Sequence, residues 1–240
     1  MTRFDSVLRL GDDALVAAQR MAHWCACAPQ LEEDVALANI ALDLLGQARA
    51  LLTYAGGIEG AGRDEDRLAY QRDEREFTNA LLVELPDADF AVAVVKLLFF
   101  ATYQNLLYQR LATGADTTLA GIAGKAVKET KYHVEHATRW TLRLGDGTVE
   151  SRRRAQAAVD GLWPFTHELF EPDPLAPVDP AGLREPWAAL VRPVLTRATL
   201  VVPDDDWRPT GGRVGLHTEG FGYLLGEMQS VHRAHPGARW

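Results

Sequence analysis

From about residue 12 to residue 170 the chain runs in long stretches of helical period, with apolar residues three and four apart, and no segment alternates with the period of a β-strand. That feature limits the fold to the all-α class. The stretches read as helices over residues 12–26, 31–54, 64–84, 89–113, 117–144 and 149–170. Between them stand Pro29, the glycine-rich AGGIEGAG, Pro86, Gly114 and the GDG at residues 145–147, all residue types that stop helices or make turns. Connections this short set successive helices antiparallel, so the expected fold is a helical bundle over about residues 10–170 within a single domain.

After Phe170 the stretch EPDPLAPVDP reads as an extended connector, because proline fixes φ and removes a backbone donor. It is expected to wrap the bundle or a partner. Two shorter helices, 184–199 and 218–233, flank the irregular VVPDDDWRPTGGRVG, which makes residues 171–240 a loop-rich C-terminal extension.

Hydrophobic residues are 47% of the 240 and charged residues 24%, enough apolar surface to fill a core. The formal net charge is −8, and basic residues are scattered apart from Arg152, Arg153 and Arg154. A nucleic-acid partner needs a broader basic footprint, so none is expected. Arg3, Asp5, Arg9 and Asp12 interrupt any signal-like apolar run, and Cys25 and Cys27 are too few for a disulfide framework, which together predict a cytoplasmic protein. Residues 90–107 are the most apolar, but they contain Lys96 and read as a buried core helix rather than a membrane span.

Two helices are apolar nearly all round, which marks elements expected to be buried on every side. In 31–54 the exceptions Asn39, Asp43 and Gln47 share a stripe, and in 89–113 the neighbours Gln104 and Asn105 break the apolar run. A third helix carries KETKYHVEHATRW, in which Glu129, His133, His136 and Trp140 fall on one face with Ile122 and Ala126. A carboxylate and two imidazoles on an inward stripe invite comparison with a carboxylate-bridged di-iron cage. That cage takes one Glu from each of two helices and a Glu-x-x-His from each of the other two. Here Glu129 is followed at i+3 by Tyr132 and Asp43 by Gly46, while Gln19 and Gln104 stand where bridging carboxylates belong.

The cage is therefore degenerate, and no metal ligand, cofactor-binding or catalytic residue is assigned. His133 and His136 lack further convergent donors, and they read as inward histidines satisfied by hydrogen bonds. Asp43 and Glu129, as possible buried carboxylates, call for pairing with a base, hydrogen bonding or protonation; Lys96 is the nominated partner, the other reading being that it snorkels to the surface. GGRVG lacks the spacing of a phosphate-binding loop, no nucleophile elbow occurs, and His217 and Glu219 read as structural at a helix start capped by Thr218.

Five segments, LGDDALVAAQRMAHWC, LEEDVALANIALDLLGQARALLTYAG, HVEHATRWTLRLGDGTVES, LWPFTHELFEP and HTEGFGYLLGEMQSVHRAHPGARW, together resemble the PaaA/PaaC family of ferritin-like proteins. The likeness is to the C-type subunits of the ring 1,2-phenylacetyl-CoA epoxidases of phenylacetate catabolism, and it covers nearly the whole chain. The resemblance implies a ferritin-like structural subunit that is not itself catalytic. Its partner would be an A-type subunit holding the di-iron centre that epoxidises the ring of phenylacetyl-CoA. Among the other components that the resemblance implies is a reductase carrying electrons from NADPH through flavin and iron–sulfur groups. The resemblance also implies a homodimer when the partner is absent. Exposed-hydrophobe logic separately predicts a large interface with the A-type partner, formed by helices near the N-terminus, the proline-rich connector and the tail with Trp240. Two other readings of the residues stay open: an independent ferritin-like di-iron protein, and a helical module that binds acyl-CoA.

Overall fold

The first helix begins where the Thr2 hydroxyl accepts the Asp5 amide and the Asp5 carboxylate takes the Thr2 amide in return, a reciprocal cap. In this computed structural model, which describes residues 2–173, 176–204 and 207–238, helix α1 therefore spans Arg3–Ala22. The expected start at residue 12 lies well inside it. Its end also comes before residue 26, because Trp24, Cys25 and Cys27 donate to carbonyls three residues back and Ala26 is left-handed, with φ 65°.

The remaining helices are α2 (Leu31–Glu59), α3 (Glu65–Tyr70), α4 (Leu81–Glu84), α5 (Phe90–Leu111), α6 (Thr117–Gly145), α7 (Val149–Leu162), α8 (Arg184–Arg197) and α9 (Glu219–Ala234). Among the described residues there is no strand, and the chain is all-α and ferritin-like in class. It divides into two compact units, residues 1–86 with 211–240 and residues 87–210.

The first unit is built on the α1–α2 hairpin. Leu15 and Val16 of α1 and Leu37, Leu44, Leu51 and Leu52 of α2 are all buried. The helices approach closely at Gly11, where a Cβ would stand 2.7 Å from Leu52 Cδ2. Gly60, at φ 69°, ends α2 in the left-handed conformation that glycine adopts without strain. The expected helix over 64–84 is broken into α3, a single 3₁₀ turn at Glu74–Glu76, and α4. The cause is tertiary: the amides of Thr78 and Ala80 donate to Asp12 and Asp13 on α1, at 2.9 and 2.8 Å, instead of to carbonyls one turn back.

The second unit is built on the α5–α6 hairpin, whose helices start at the capping carboxylates of Asp89 and Asp116. An aromatic cluster fastens residues 163–187 to α5. Phe99 meets Trp163 at 5.6 Å and Trp187 at 5.7 Å between ring centres, Phe170 meets Tyr103 at 5.7 Å, and the Trp187 indole donates to the Phe99 carbonyl at 2.9 Å. The expected helix over 149–170 passes into 3₁₀ geometry from Trp163 on, where Pro164 cannot donate to a helical carbonyl. The proline-rich connector lies in this unit, with Pro174 and Leu175 outside the described residues.

By length and composition α2 and α5 are long and apolar enough to cross a membrane. The apolar window of α5 is 78% buried within the protein, as a core helix requires.

Candidate functional site

The residues singled out from the sequence are divided between the units. On α6, His133 is 1% exposed and His136 is half-buried one turn further along the same face. Glu129 lies on that face too, its carboxylate 3.3 Å from Lys125 and its side chain 15% exposed. Tyr132, at the position where the di-iron template wants an imidazole, is 72% exposed and points to solvent. On α5, Gln104 is buried and donates to the Tyr108 hydroxyl at 3.4 Å, while Asn105 reaches across to the Val127 carbonyl and the Thr130 hydroxyl of α6 at 3.1 and 3.0 Å.

Lys96 forms an ion pair with Asp87, Nζ to Oδ1 at 2.6 Å, with both side chains almost fully buried. The cation nominated for Asp43 and Glu129 thus holds a different carboxylate. Asp87 lies just ahead of the α5 cap, too far along the chain from Lys96 for helical spacing to suggest the pair. In the first unit, Gln19 and Asp43 are half-buried and Gly46 offers no side-chain donor. Among the described residues no three His, Cys, Asp or Glu side chains converge as a metal ion would require. The donor set does not fit a di-iron pair: amides replace carboxylates, and neither i+3 position supplies an imidazole.

What the first unit does hold is a buried network of charged groups. Asp12, with no solvent exposure, takes the Arg72 guanidinium on both oxygens, one contact being 3.1 Å, and also the Thr78 hydroxyl at 3.1 Å. Arg72 lies over the Phe77 ring, 4.0 Å from its centre. Asp13 takes Arg213 in the same forked way at 2.8 and 2.9 Å. Glu84 accepts Asn79 at 2.8 Å, the Thr218 amide at 2.6 Å and His217 Nδ1 at 2.7 Å, and Arg20 donates to its backbone carbonyl at 2.9 Å. His217 Nε2 faces the Phe77 carbonyl at 3.0 Å, and its ring stacks on Phe221.

Both nitrogens of His217 therefore face acceptors, and both must donate, which fixes the ring as imidazolium. Thr218 precedes α9 at the capping position but makes no side-chain cap; its amide serves Glu84 instead, which corrects the expected role. Each carboxylate here is met by a cation and by amides, so the network fastens the segment from Arg213 to α9 onto α1 and the 72–84 stretch. It presents no acid or base to a substrate. Local spacing does not reveal this network. Its one signal in the sequence is the acidic pair Asp12–Asp13 inside LGDDALVA, which reads as a helix start.

Comparison with known proteins gives this architecture its relatives. The model of the phenylacetic acid catabolic protein family matches residues 1–240. The chain belongs to the phenylacetic acid catabolic protein family. A curated member, the C subunit of the 1,2-phenylacetyl-CoA epoxidase of Escherichia coli (strain K12), is 47% identical over 241 residues, covering 97% of each chain. With so nearly complete a span, the likeness includes both helix hairpins and the C-terminal segment.

Proposed function

We propose that this chain is the non-catalytic structural subunit of a multicomponent 1,2-phenylacetyl-CoA epoxidase, working in the cytoplasm in phenylacetate catabolism. The observation that carries the reading is the 47% identity, over 97% of both chains, to the C subunit from Escherichia coli. The residues support it: Gly46, the outward Tyr132 and the amides Gln19 and Gln104 leave the chain without a di-iron donor set. The iron then belongs to an A-type partner, where O₂ and the aromatic ring react, with electrons delivered from NADPH by a reductase. Rigid buried networks and aromatic clusters suit a chain whose task is to hold that partner in shape. In the absence of the partner the chain pairs with itself.

Co-expression with the A-type subunit from the same source tests the reading. The two chains are expected to co-purify in fixed ratio, and phenylacetyl-CoA epoxidation with the reductase present is expected to need both. An A-type subunit that is fully active and stable without this chain would overturn it.

A further inference from the structure

The two cysteines of the chain stand two positions apart in the turn between α1 and α2, and both are exposed. The Cys27 amide donates to the Trp24 carbonyl at 3.0 Å, which makes Trp24 to Cys27 a β-turn with Cys25 and Ala26 at its centre. Ala26 has φ 65°, a conformation that a turn ordinarily leaves to glycine or asparagine. Contacts outside the pair hold this shape: His23 Nε2 meets Glu227 of α9 at 3.1 Å, and the Ala28 amide donates to Asp34 of α2 at 3.0 Å. In a fully extended chain, Cys25 and Cys27 would have Cα atoms roughly 7 Å apart, at the limit of what a disulfide spans. The bend at Ala26 shortens that distance. Because both side chains lie in solvent, packing does not hold their rotamers apart.

We infer that Cys25 and Cys27 form a dithiol site that hydrogen peroxide closes to a disulfide within the chain. One thiolate attacks a peroxide oxygen, the O–O bond breaks, hydroxide leaves and a sulfenic acid forms. The second thiolate then displaces hydroxide from that sulfur and the S–S bond forms. In sum the two thiols give up two electrons and two protons, and the peroxide becomes two molecules of water. A single exposed cysteine would stop at the sulfenic acid and pass on to the sulfinic acid, which thiols do not reverse, whereas a neighbouring thiol resolves the intermediate first. A ring closed over one intervening residue is strained and stands in solvent, so it belongs to the labile disulfides that cellular thiols such as glutathione reopen. The site is therefore open at rest and closes only against a stronger oxidant. Its chemistry does not depend on the epoxidase reading, which adds only a source of oxidant: O₂ reduced by two electrons is hydrogen peroxide, and this chain would work beside a partner that reduces O₂.

Intact-mass measurement and thiol titration of the full chain, reduced, desalted and treated with one equivalent of hydrogen peroxide, decide this. The wild type is expected to lose about 2 Da, with both thiols disappearing together and both returning on addition of dithiothreitol. Peptide mapping is expected to join Cys25 to Cys27. Cys25→Ser and Cys27→Ser, at exposed positions, are expected to keep the wild-type circular dichroism spectrum. With peroxide and dimedone together, each is expected to carry at least about tenfold more dimedone adduct than the wild type, in which the neighbouring thiol reaches the sulfenic acid first. A wild type whose cysteines gain oxygen independently, as in the single variants, would overturn the inference. So would a disulfide that joins two chains on a non-reducing gel. Binding of one Cu(I) by a pair that peroxide leaves untouched would make it a soft-metal site instead. None of these outcomes bears on co-purification with the A-type subunit, so the epoxidase reading stands or falls separately.

Discussion

The His217 ring donates to Glu84 through Nδ1 at 2.7 Å and to the Phe77 carbonyl through Nε2 at 3.0 Å, so one side chain ties the C-terminal segment to the stretch around α4. Burial by itself pushes the imidazolium pKa down. The hydrogen bond and charge of Glu84, with the Phe77 carbonyl and Glu74 beyond, outweigh it and raise the value above its ordinary 6.5. The folded chain thus holds this proton more tightly than the unfolded chain does. Its stabilisation is complete below pH ~6.5 and is lost as the pH rises through the raised folded pKa. Urea unfolding of the wild type and of His217→Gln is expected to show a stability gap that narrows with rising pH above that point. A gap of constant size would mean that the ring is neutral.

The Lys96–Asp87 pair is expected to behave as buried pairs do. Lys96→Met should cost about 3–5 kcal/mol, because it takes the ammonium away from a buried carboxylate. Lys96→Met with Asp87→Leu should recover most of that loss, since two apolar groups need no partner. Denaturant unfolding of the single and double variants measures both. A neutral Lys96→Met would mean that Asp87 is satisfied without the lysine.

Glycine substitutions on the helices are expected to differ in sign. A Cβ on Gly145 would lie 2.0 Å from the Ala198 carbonyl oxygen, and Gly145→Ala should destabilise by about 1–3 kcal/mol as the end of α6 is forced from the end of α8. A methyl group added at Gly161 in α7 would meet no neighbour within 4 Å, and Gly161→Ala should stabilise by about 0.5–1 kcal/mol through helix propensity alone. Thermal unfolding separates them.

Anaerobic loading of the purified chain with Fe(II) is expected to leave iron close to zero per chain after desalting. Glu129 is engaged by Lys125, Tyr132 faces solvent and Gly46 has no donor. An iron content approaching a di-iron pair per chain would mean that ligands come from residues other than those assigned, and that the chain is an oxygenase in its own right.

The helical class, the start of α2, the span of α6 and the half-missing di-iron motif on Asp43 and Glu129 were legible in the sequence. Each rests on spacing within one helix, and a helix sets its own period. That Gly46 and Tyr132 stand where the template has imidazoles is read from spacing alone, without knowing where anything else lies.

The rest depends on contacts between distant parts of the chain. Asp13 and Arg213 are 200 residues apart, and no local pattern couples them. Once folding brings them together, the cost of leaving a buried charge unpaired makes the contact obligatory. That requirement also overrides local propensity: Asp12 and Asp13 take the amides of Thr78 and Ala80, and the helix expected over 64–84 breaks there. The outward leucines of α2 belong to the same category. Periodicity reads this helix as buried on every side, but Leu31, Val35, Leu42 and Leu45 are exposed; which leucines face solvent follows from how α1 packs against the helix, because a helix can bury against one neighbour only the face it turns toward it.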